Sequence, residues 1–516
     1  MPVYQFGGNP NLGAPNIYVG IQPPANRYIN GLPTNIIGAV GVGSWGPVNN
    51  ATVTGNLAQV EQTYGPVTNR SYDIATAAAV WDGMGANNFR FVRVTDGTDK
   101  AATVPMYDTA TTPVIGMTLT ALYTGVVGNT LQAQFVSGQS TSAWNLVISR
   151  PGFTPETFVN ISGTGATFWQ NVVSAINNGQ SGIRGPSQLV TATIGTSVTA
   201  TPNTTAYTLA GGADGASSVT TTIMLGTDGL TRTGMYALRN SLASILLLLD
   251  SADNNTWTEM NAFGLQEGMY ALGCTAPGTS GISTQSALQT AGVTSYALKM
   301  MVGDWCYYND TVNGVLRMLA PTTYAAGILA TLSPQRSSLN KQLMNLIGTQ
   351  SSLANLVYSG AQIAQIRGAG LDVIANNSPG GAYFSCRTGA NTSNNAVING
   401  DNYTRMTNFI AFTIAAGMGY VVGELQTPQQ RRDAKTTLDS FLLNLYRQGM
   451  IGDVNNPGSQ FAFQTILDAS NNPESQVALG FEKAQVNVKY LSIITDFLVD
   501  LQGGQSVQIT PRTQGA

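Results

Sequence analysis

Four carboxylates gather just beyond one solid apolar run: Asp250, Asp253, Glu259 and Glu267 follow the ILLLL of residues 245–249. Paired acids about 5–10 Å apart can hydrolyse glycosides, and ligand chemistry in α/β sheets collects at strand ends. No motif surrounds these four, so solvated loop charges are the expectation. The Gly-rich stretch 211–215 invites a phosphate-binding reading. It lacks the Lys-Ser/Thr of a P-loop and does not match GxGxxG, so a tight turn is expected. Cys274, Cys306 and Cys386 are odd in number and far apart, and read as small buried hydrophobes. Histidine is absent from the whole chain. That removes the Ser-His-Asp triad, the Cys-His pair and the common imidazole metal sites. The expectation is a chain with no catalytic, metal-ligating or cofactor-binding residue.

The elements that would position such groups are numerous, because 516 residues suggest about three domains. Only 9% of residues are charged, against about 25% in ordinary soluble proteins, and Gly, Ser, Thr and Asn fill the polar positions instead. Such a surface repels its own copies weakly and tolerates dense packing. A net charge of −3 argues against a phosphate-dominated nucleic-acid binder. The first ten residues hold neither a basic region nor an apolar core, so no signal peptide is expected. Residues 409–422 form the most apolar window, interrupted by Thr413, Gly417 and Gly419 and short for a membrane span. A buried helix-to-strand segment is expected there, with no membrane insertion.

In chain order, residues 1–30 are rich in Pro, Gly and Asn, with Ile17, Val19 and Ile21 on one face of an alternating patch. A buried strand over 36–42, helices around Leu57–Val60–Tyr64 and from Asp73 to Gly83, and a strand over 89–94 make an α/β opening. Over 96–216 charges thin out and short alternating runs at 132–135, 144–148 and 189–194 predict a mostly β insertion with one helix over 167–176. The α/β pattern resumes at about 221, with a helix over 233–242 and the 245–249 run as a fully buried parallel strand.

The last ninety residues organise the rest. Thr427 can cap a helix, Pro428 suits its first position, Gln430 completes a capping-box pattern and Gly449 supplies the left-handed stop. Ala434, Leu438, Phe441, Leu442 and Leu445 make its apolar stripe, while Arg432, Asp439, Leu443 and Arg447 share another face. Strands are predicted over 461–467 and 481–490, split by Asn471–Asn472–Pro473. A long alternation follows, with Leu491, Ile493, Phe497, Val499 and Leu501 on one face, continued by Val507 and Ile509 beyond Gly503–Gly504. A strand running past a glycine hinge to the end of a chain is a template for joining another molecule.

The run TPQQRRDAKTTLDSFLLNLYRQGMIG, the strand pair after it and the terminal strand resemble the C-terminal domain of contractile phage tail sheath proteins. Further pieces are similar to landmarks of that family in the same order: WGPVN, NNFRFVRV, YTGVVGNTL, LAGGADG, KMMVGDWCYYN, LAPTTYAAGILA, SLNKQLMNLIG and GAGLDVIANNSPGGAYFSCRTG. The alternating patch near the start resembles the family's short N-terminal arm.

The resemblance implies a multidomain α/β + β fold. Its expected parts are an arm (1–30), a non-catalytic subtilisin-like α/β core (31–95 and 217–400), an inserted β-rich outer domain (96–216) and an α+β assembly domain (401–516) with a donated terminal strand. It implies a virion subunit assembled in the host bacterial cytoplasm. Its partners would be copies of itself in stacked hexameric rings, the tail tube, and baseplate and terminator proteins. Ile17, Val19 and Ile21, and Phe497, Val499, Leu501, Val507 and Ile509, would join subunits. Arg432, Asp439, Leu443 and Arg447 would face the tube. The rival expectation is a cell-surface lattice or adhesin-type structural protein, suggested by the Thr/Asn/Gly-rich composition.

Overall fold

The computed structural model describes residues 3–5, 19–21, 29–140, 142–455 and 462–501; of 3–5 and 19–21 only the backbone is described. Ile17, Val507 and Ile509 lie outside the described residues.

A six-stranded sheet forms the centre, in the order Leu298–Met301, Tyr270–Cys274, Ile245–Leu248, Ile37–Gly41, Phe89–Arg93, Thr52–Thr54. All neighbours are parallel except the last pair. Every residue of Ile37–Gly41, Ile245–Leu248 and Tyr270–Cys274 is buried, which is why these strands read as continuous apolar runs. Helices Ile74–Gly83 and Pro321–Thr331 pack against each other and the sheet, and Trp257–Glu267 covers Tyr270–Cys274 and Leu298–Met301. Trp81 joins the first two by donating its indole N–H to the Thr323 carbonyl at 2.8 Å. Gly41 is demanded by close approach: a Cβ there would lie 2.5 Å from the Tyr72 carbonyl oxygen.

After Arg93 the chain leaves this core and returns near Asp214. Between them lie two antiparallel sheets. One runs Glu156–Ile161, Trp144–Ser149, Gln132–Ser137, Tyr207–Thr208, the other Val190–Ile194, Ile115–Thr124, Ala101–Tyr107. Helix Ala166–Asn178 buries Phe168 and Trp169 into a separate cluster with Leu119, Phe135, Leu146 and Phe158. Where the chain crosses, Arg70 bridges Asp73 (2.9 Å) and Asp214 (2.6 Å). Buried Arg93 donates to the carbonyls of Gly46, Thr124 and Asp214. These bonds span the junction, so the insertion is pinned to the core and not merely tethered.

The chain ends in a third cluster, formed by helices Asp401–Gly417 and Pro428–Arg447 and the antiparallel pair Phe463–Ile466 and Gln485–Val488. The architecture is mixed α/β, with several sheets and twelve α-helices among the described residues.

Three local expectations need correction. Residues 409–422 carry no strand: the helix continues to Gly417 and a short 3-10 turn, Gly419–Val421, follows. The helix expected over 233–242 is only a 3-10 turn, Gly234–Leu238, because Asn240 and Leu242 adopt left-handed backbone at φ +63° and +62°. The predicted 461–467 and 481–490 strands are shorter, at Phe463–Ile466 and Gln485–Val488.

Candidate assembly interface

The Pro428–Arg447 helix starts where its sequence says. Thr427 Oγ1 accepts the Gln430 N–H at 3.1 Å and Pro428 occupies the first turn. The capping box is half made: the Gln430 side chain does not return the bond, and its Nε2 is buried without a partner. Gly449, at φ +67°, ends the helix by donating to the Tyr446 carbonyl. Ala434, Leu438, Phe441, Leu442 and Leu445 are all buried.

Of the second face, Arg432 and Arg447 are exposed, and Arg432 donates only to neighbouring Gln429. Asp439 and Leu443 instead line a groove of about 590 Å³ with Phe463, Gln464 and Thr465. Leu443 packs against the cluster under the helix, so its apolar character is explained inside the subunit. Thr465 Oγ1 is buried beside this groove without a hydrogen-bond partner.

Phe463–Ile466 and Gln485–Val488 pair in register from Phe463↔Val488 to Ile466↔Gln485. Among the described residues neither pairs with a further named strand. A two-stranded ribbon is marginal alone, and open edges recruit other strands.

Residues 491–501 leave this ribbon without any regular hydrogen-bonded structure. Leu491 and Ile493 are half-buried in a groove of about 840 Å³ against helix Asp401–Gly417. Beyond them Phe497, Leu498 and Leu501 are 82, 91 and 88% exposed. Val499 is exposed as well. The segment is held only lightly: Arg367 reaches Asp496 and Thr495 at 3.0 Å each, and Asn402 donates to the Leu491 carbonyl at 3.4 Å. At the other end of the chain, Val19 and Ile21 lie on strand Val19–Ile21, which pairs in parallel with Val3–Gln5.

One buried ionic arrangement is invisible in the sequence. Lys299 Nζ lies 2.6 Å from Asp372 and 3.0 Å from Asp401, with all three side chains fully buried. Asp372 Oδ1 accepts the N–H groups of Val373, Arg387 and Thr388. Asp401 accepts from the Tyr270 phenol (2.7 Å) and Ser338. Burial alone would lower the Lys299 value, but Asp372 and Asp401 outweigh it and hold the ammonium well above its ordinary range. Burial, then Asp401, pushes the Tyr270 phenol far up. Asp401 is the first residue of helix Asp401–Gly417, so this network bolts the central sheet to the terminal module. Its members are distant in sequence, and the only signal was a lysine inside an apolar run, LKMM.

The four candidate carboxylates do not form a site. Asp250 accepts the N–H groups of Tyr72 (3.2 Å) and Ala320 (3.1 Å), and burial raises its carboxyl. The Thr221 hydroxyl at 2.6 Å lowers Asp253. Glu267 pairs with Arg239 at 2.6 Å, and Glu259 is exposed in the first turn of its helix. Cys274, Cys306 and Cys386 are free and buried, and burial pushes all three thiols up. Among the described residues no group of three His, Cys, Asp or Glu is placed to hold a metal, and no helix is long and apolar enough to cross a membrane.

No family model and no curated protein matches the chain. Solved structures do. The sheath tail protein of Desulfitobacterium hafniense is similar at 13% identity and TM-score 0.55, over 87% of this chain and 93% of its own. A sheath tail protein of Listeria innocua is similar at 12% identity and TM-score 0.57, over 87% and 90%. The sheath of the extracellular contractile injection system PVC, in its contracted state, is similar at 9% identity and TM-score 0.55, over 97% and 99%. The chain has the fold of these sheath proteins.

Proposed function

We propose that this chain is a structural subunit of a contractile tail sheath without enzymatic activity. Its copies stack as hexameric rings around a tail tube, and contraction drives the tube through the host cell envelope. In this reading residues 31–95 and 217–400 form a non-catalytic, subtilisin-like core. The 96–216 insertion faces outward, and residues 1–30 and 401–516 build the inner assembly module. The particle is put together in the bacterial cytoplasm, with tube, baseplate and terminator proteins as partners.

The observation that carries the proposal is the 491–501 segment, whose Phe497, Leu498, Val499 and Leu501 are exposed beside a ribbon that pairs with no further named strand among the described residues. Adding it to a neighbour's ribbon satisfies both. Burying three large apolar side chains contributes about 5–9 kcal/mol gross, and ordering six residues costs about 6–12 kcal/mol. The strand therefore takes a fixed place only where a neighbouring edge supplies backbone hydrogen bonds. Such a head-to-tail contact does not close on itself and builds a helical array. The exposed Arg432 and Arg447 are the groups of the long helix free to meet the tube. Asp439 and Leu443 fit better as lining for the incoming strand.

Negative-stain microscopy of the full chain beside one ending after Tyr490, each with and without tube, tests this. Striated tubes from the full chain and dispersed subunits from the shortened one are expected. Tubes from both would remove the terminal strand from the mechanism, and flat two-dimensional sheets would point to a surface lattice instead.

A further inference from the structure

The chain leaves the terminal module in three stages, each held less firmly than the one before. Tyr490 is anchored. It bridges to Ile451, its ring meets Tyr403 edge-on at 5.7 Å, and its hydroxyl lies 3.2 Å from that of Thr407. Leu491 and Ile493 come next, half-buried in the groove against helix Asp401–Gly417. Leu491 approaches Gly452 so closely that a Cβ there would lie 3.0 Å from it. At Thr495 and Asp496 the groove gives way to one side-chain clamp. Arg367, near the end of helix Gly360–Gly368, donates from one terminal nitrogen to Asp496 Oδ2 and from the other to Thr495 Oγ1. The Thr495 hydroxyl in turn donates to Asp496 Oδ2 at 3.0 Å. The Arg367 and Thr495 bonds hold the Asp496 carboxyl below its ordinary value. Beyond the clamp, Phe497, Leu498, Val499 and Leu501 stand exposed.

This arrangement divides the segment into a pivot at Tyr490, a root over 491–496 that rests on its own subunit, and an apolar tip over 497–501. The clamp engages both terminal nitrogens of one guanidinium, a planar fork suited to two acceptors at once. Its side chains are 44% (Arg367) and 73% (Asp496) exposed, so water reaches it and it opens at little cost. A segment that must leave its own groove to join a neighbour binds that neighbour only in proportion to the fraction already released. Every contact the root keeps at home therefore opposes assembly.

We propose that Arg367 is an autoinhibitory latch: in the free subunit it grips Thr495 and Asp496 and parks the terminal segment on its own groove, and it lets go when a neighbour takes the segment. The tip stays presented while the root is restrained, so a lone subunit meets neighbours without releasing the whole strand. The latch rests on the reading of 491–501 as a donated strand and adds to it a control over when donation occurs. Its sign is what sets it apart. A contact made between subunits favours assembly, whereas this one, made within a subunit, restrains it.

The test is a charge-reversal cycle in the full chain: Arg367→Glu, Asp496→Arg and the two together, at exposed positions where folding is indifferent. Dispersed subunits are digested briefly with chymotrypsin, whose cleavage after Phe497 requires residues 494–496 to come free. Arg367→Glu should be cut faster than the wild-type chain, and Asp496→Arg faster than the double variant, each pair sharing one cleavage sequence. The concentration needed for tubes, with tail tube present, should fall about two- to fivefold in each single variant and return in the double. Single variants that raise this concentration would place Arg367 and Asp496 across a subunit boundary and overturn the latch. Unchanged cleavage with normal tubes also overturns it and leaves the sheath reading standing. Faster cleavage without tubes from any chain, the wild type included, rejects the sheath reading and with it the control of assembly.

Discussion

Lys299 carries its charge where no water reaches, in a chain that has few charges to place. Isolated, it would be expelled or neutralised. Asp372 and Asp401 hold it, and the amides on Asp372 and the Tyr270 and Ser338 hydroxyls on Asp401 satisfy the remaining lone pairs. Breaking such a network is far worse than never having built it. Lys299→Met should therefore lower unfolding stability by about 3–5 kcal/mol, and Lys299→Met with Asp401→Asn should recover part of the loss, as read by urea denaturation. The sign of the pH dependence follows from the raised value. The folded-state amine lies above its unfolded value of about 10.4, so its contribution is whole below that pH and drains away as pH climbs further. The gap between the wild-type chain and Lys299→Met should stay constant from about pH 6 to 9 and narrow above about pH 10.4.

The long helix Pro428–Arg447 makes a separable set of predictions. Leu442 is fully buried in the terminal cluster, so Leu442→Ala should cost about 2–5 kcal/mol. The loss should appear as early proteolysis confined to residues beyond 400. Gly449 has open space around its Cα but a φ of +67°, so Gly449→Ala should cost about 1 kcal/mol through backbone strain alone, without new clashes.

This helix is also the element most legible in the sequence, because caps, periodicity and stop are all local. The same holds for Ile245–Leu248 and for Ala166–Asn178, whose apolar patterns match their burial. Legibility fails where tertiary partners decide. Leu443 looks stranded among charges until the Phe463–Ile466 strand folds beside it. The 233–242 stretch has helical spacing, but its chain must turn sharply at Asn240 and Leu242 to enter the sheet. Lys299, Asp372 and Asp401 are brought together by the fold alone.

At the scale of the whole molecule, the absence of histidine and the upward-shifted cysteines leave no side chain of ordinary value titrating between about pH 6 and 8. Thermal unfolding of the full chain should be flat across that range, and a midpoint that moves by more than about 2–4 °C would mean that a strongly shifted carboxylate contributes. A flat profile is what the proposed sheath subunit, which would keep and then exchange contacts with its copies, requires. Three buried clusters organise the described residues: a central sheet, an insertion pinned by Arg70 and Arg93, and a terminal module bolted on by Lys299. In the terminal module a two-stranded ribbon lies beside an exposed apolar segment. The measurement that tests this most directly is a helical reconstruction, by electron cryo-microscopy, of tubes formed by the full chain. The account predicts residues 491–501 as a strand on the Phe463–Ile466 or Gln485–Val488 edge of a neighbouring subunit. A tube in which that segment folds back onto its own ribbon, with both neighbouring edges bare, would contradict it.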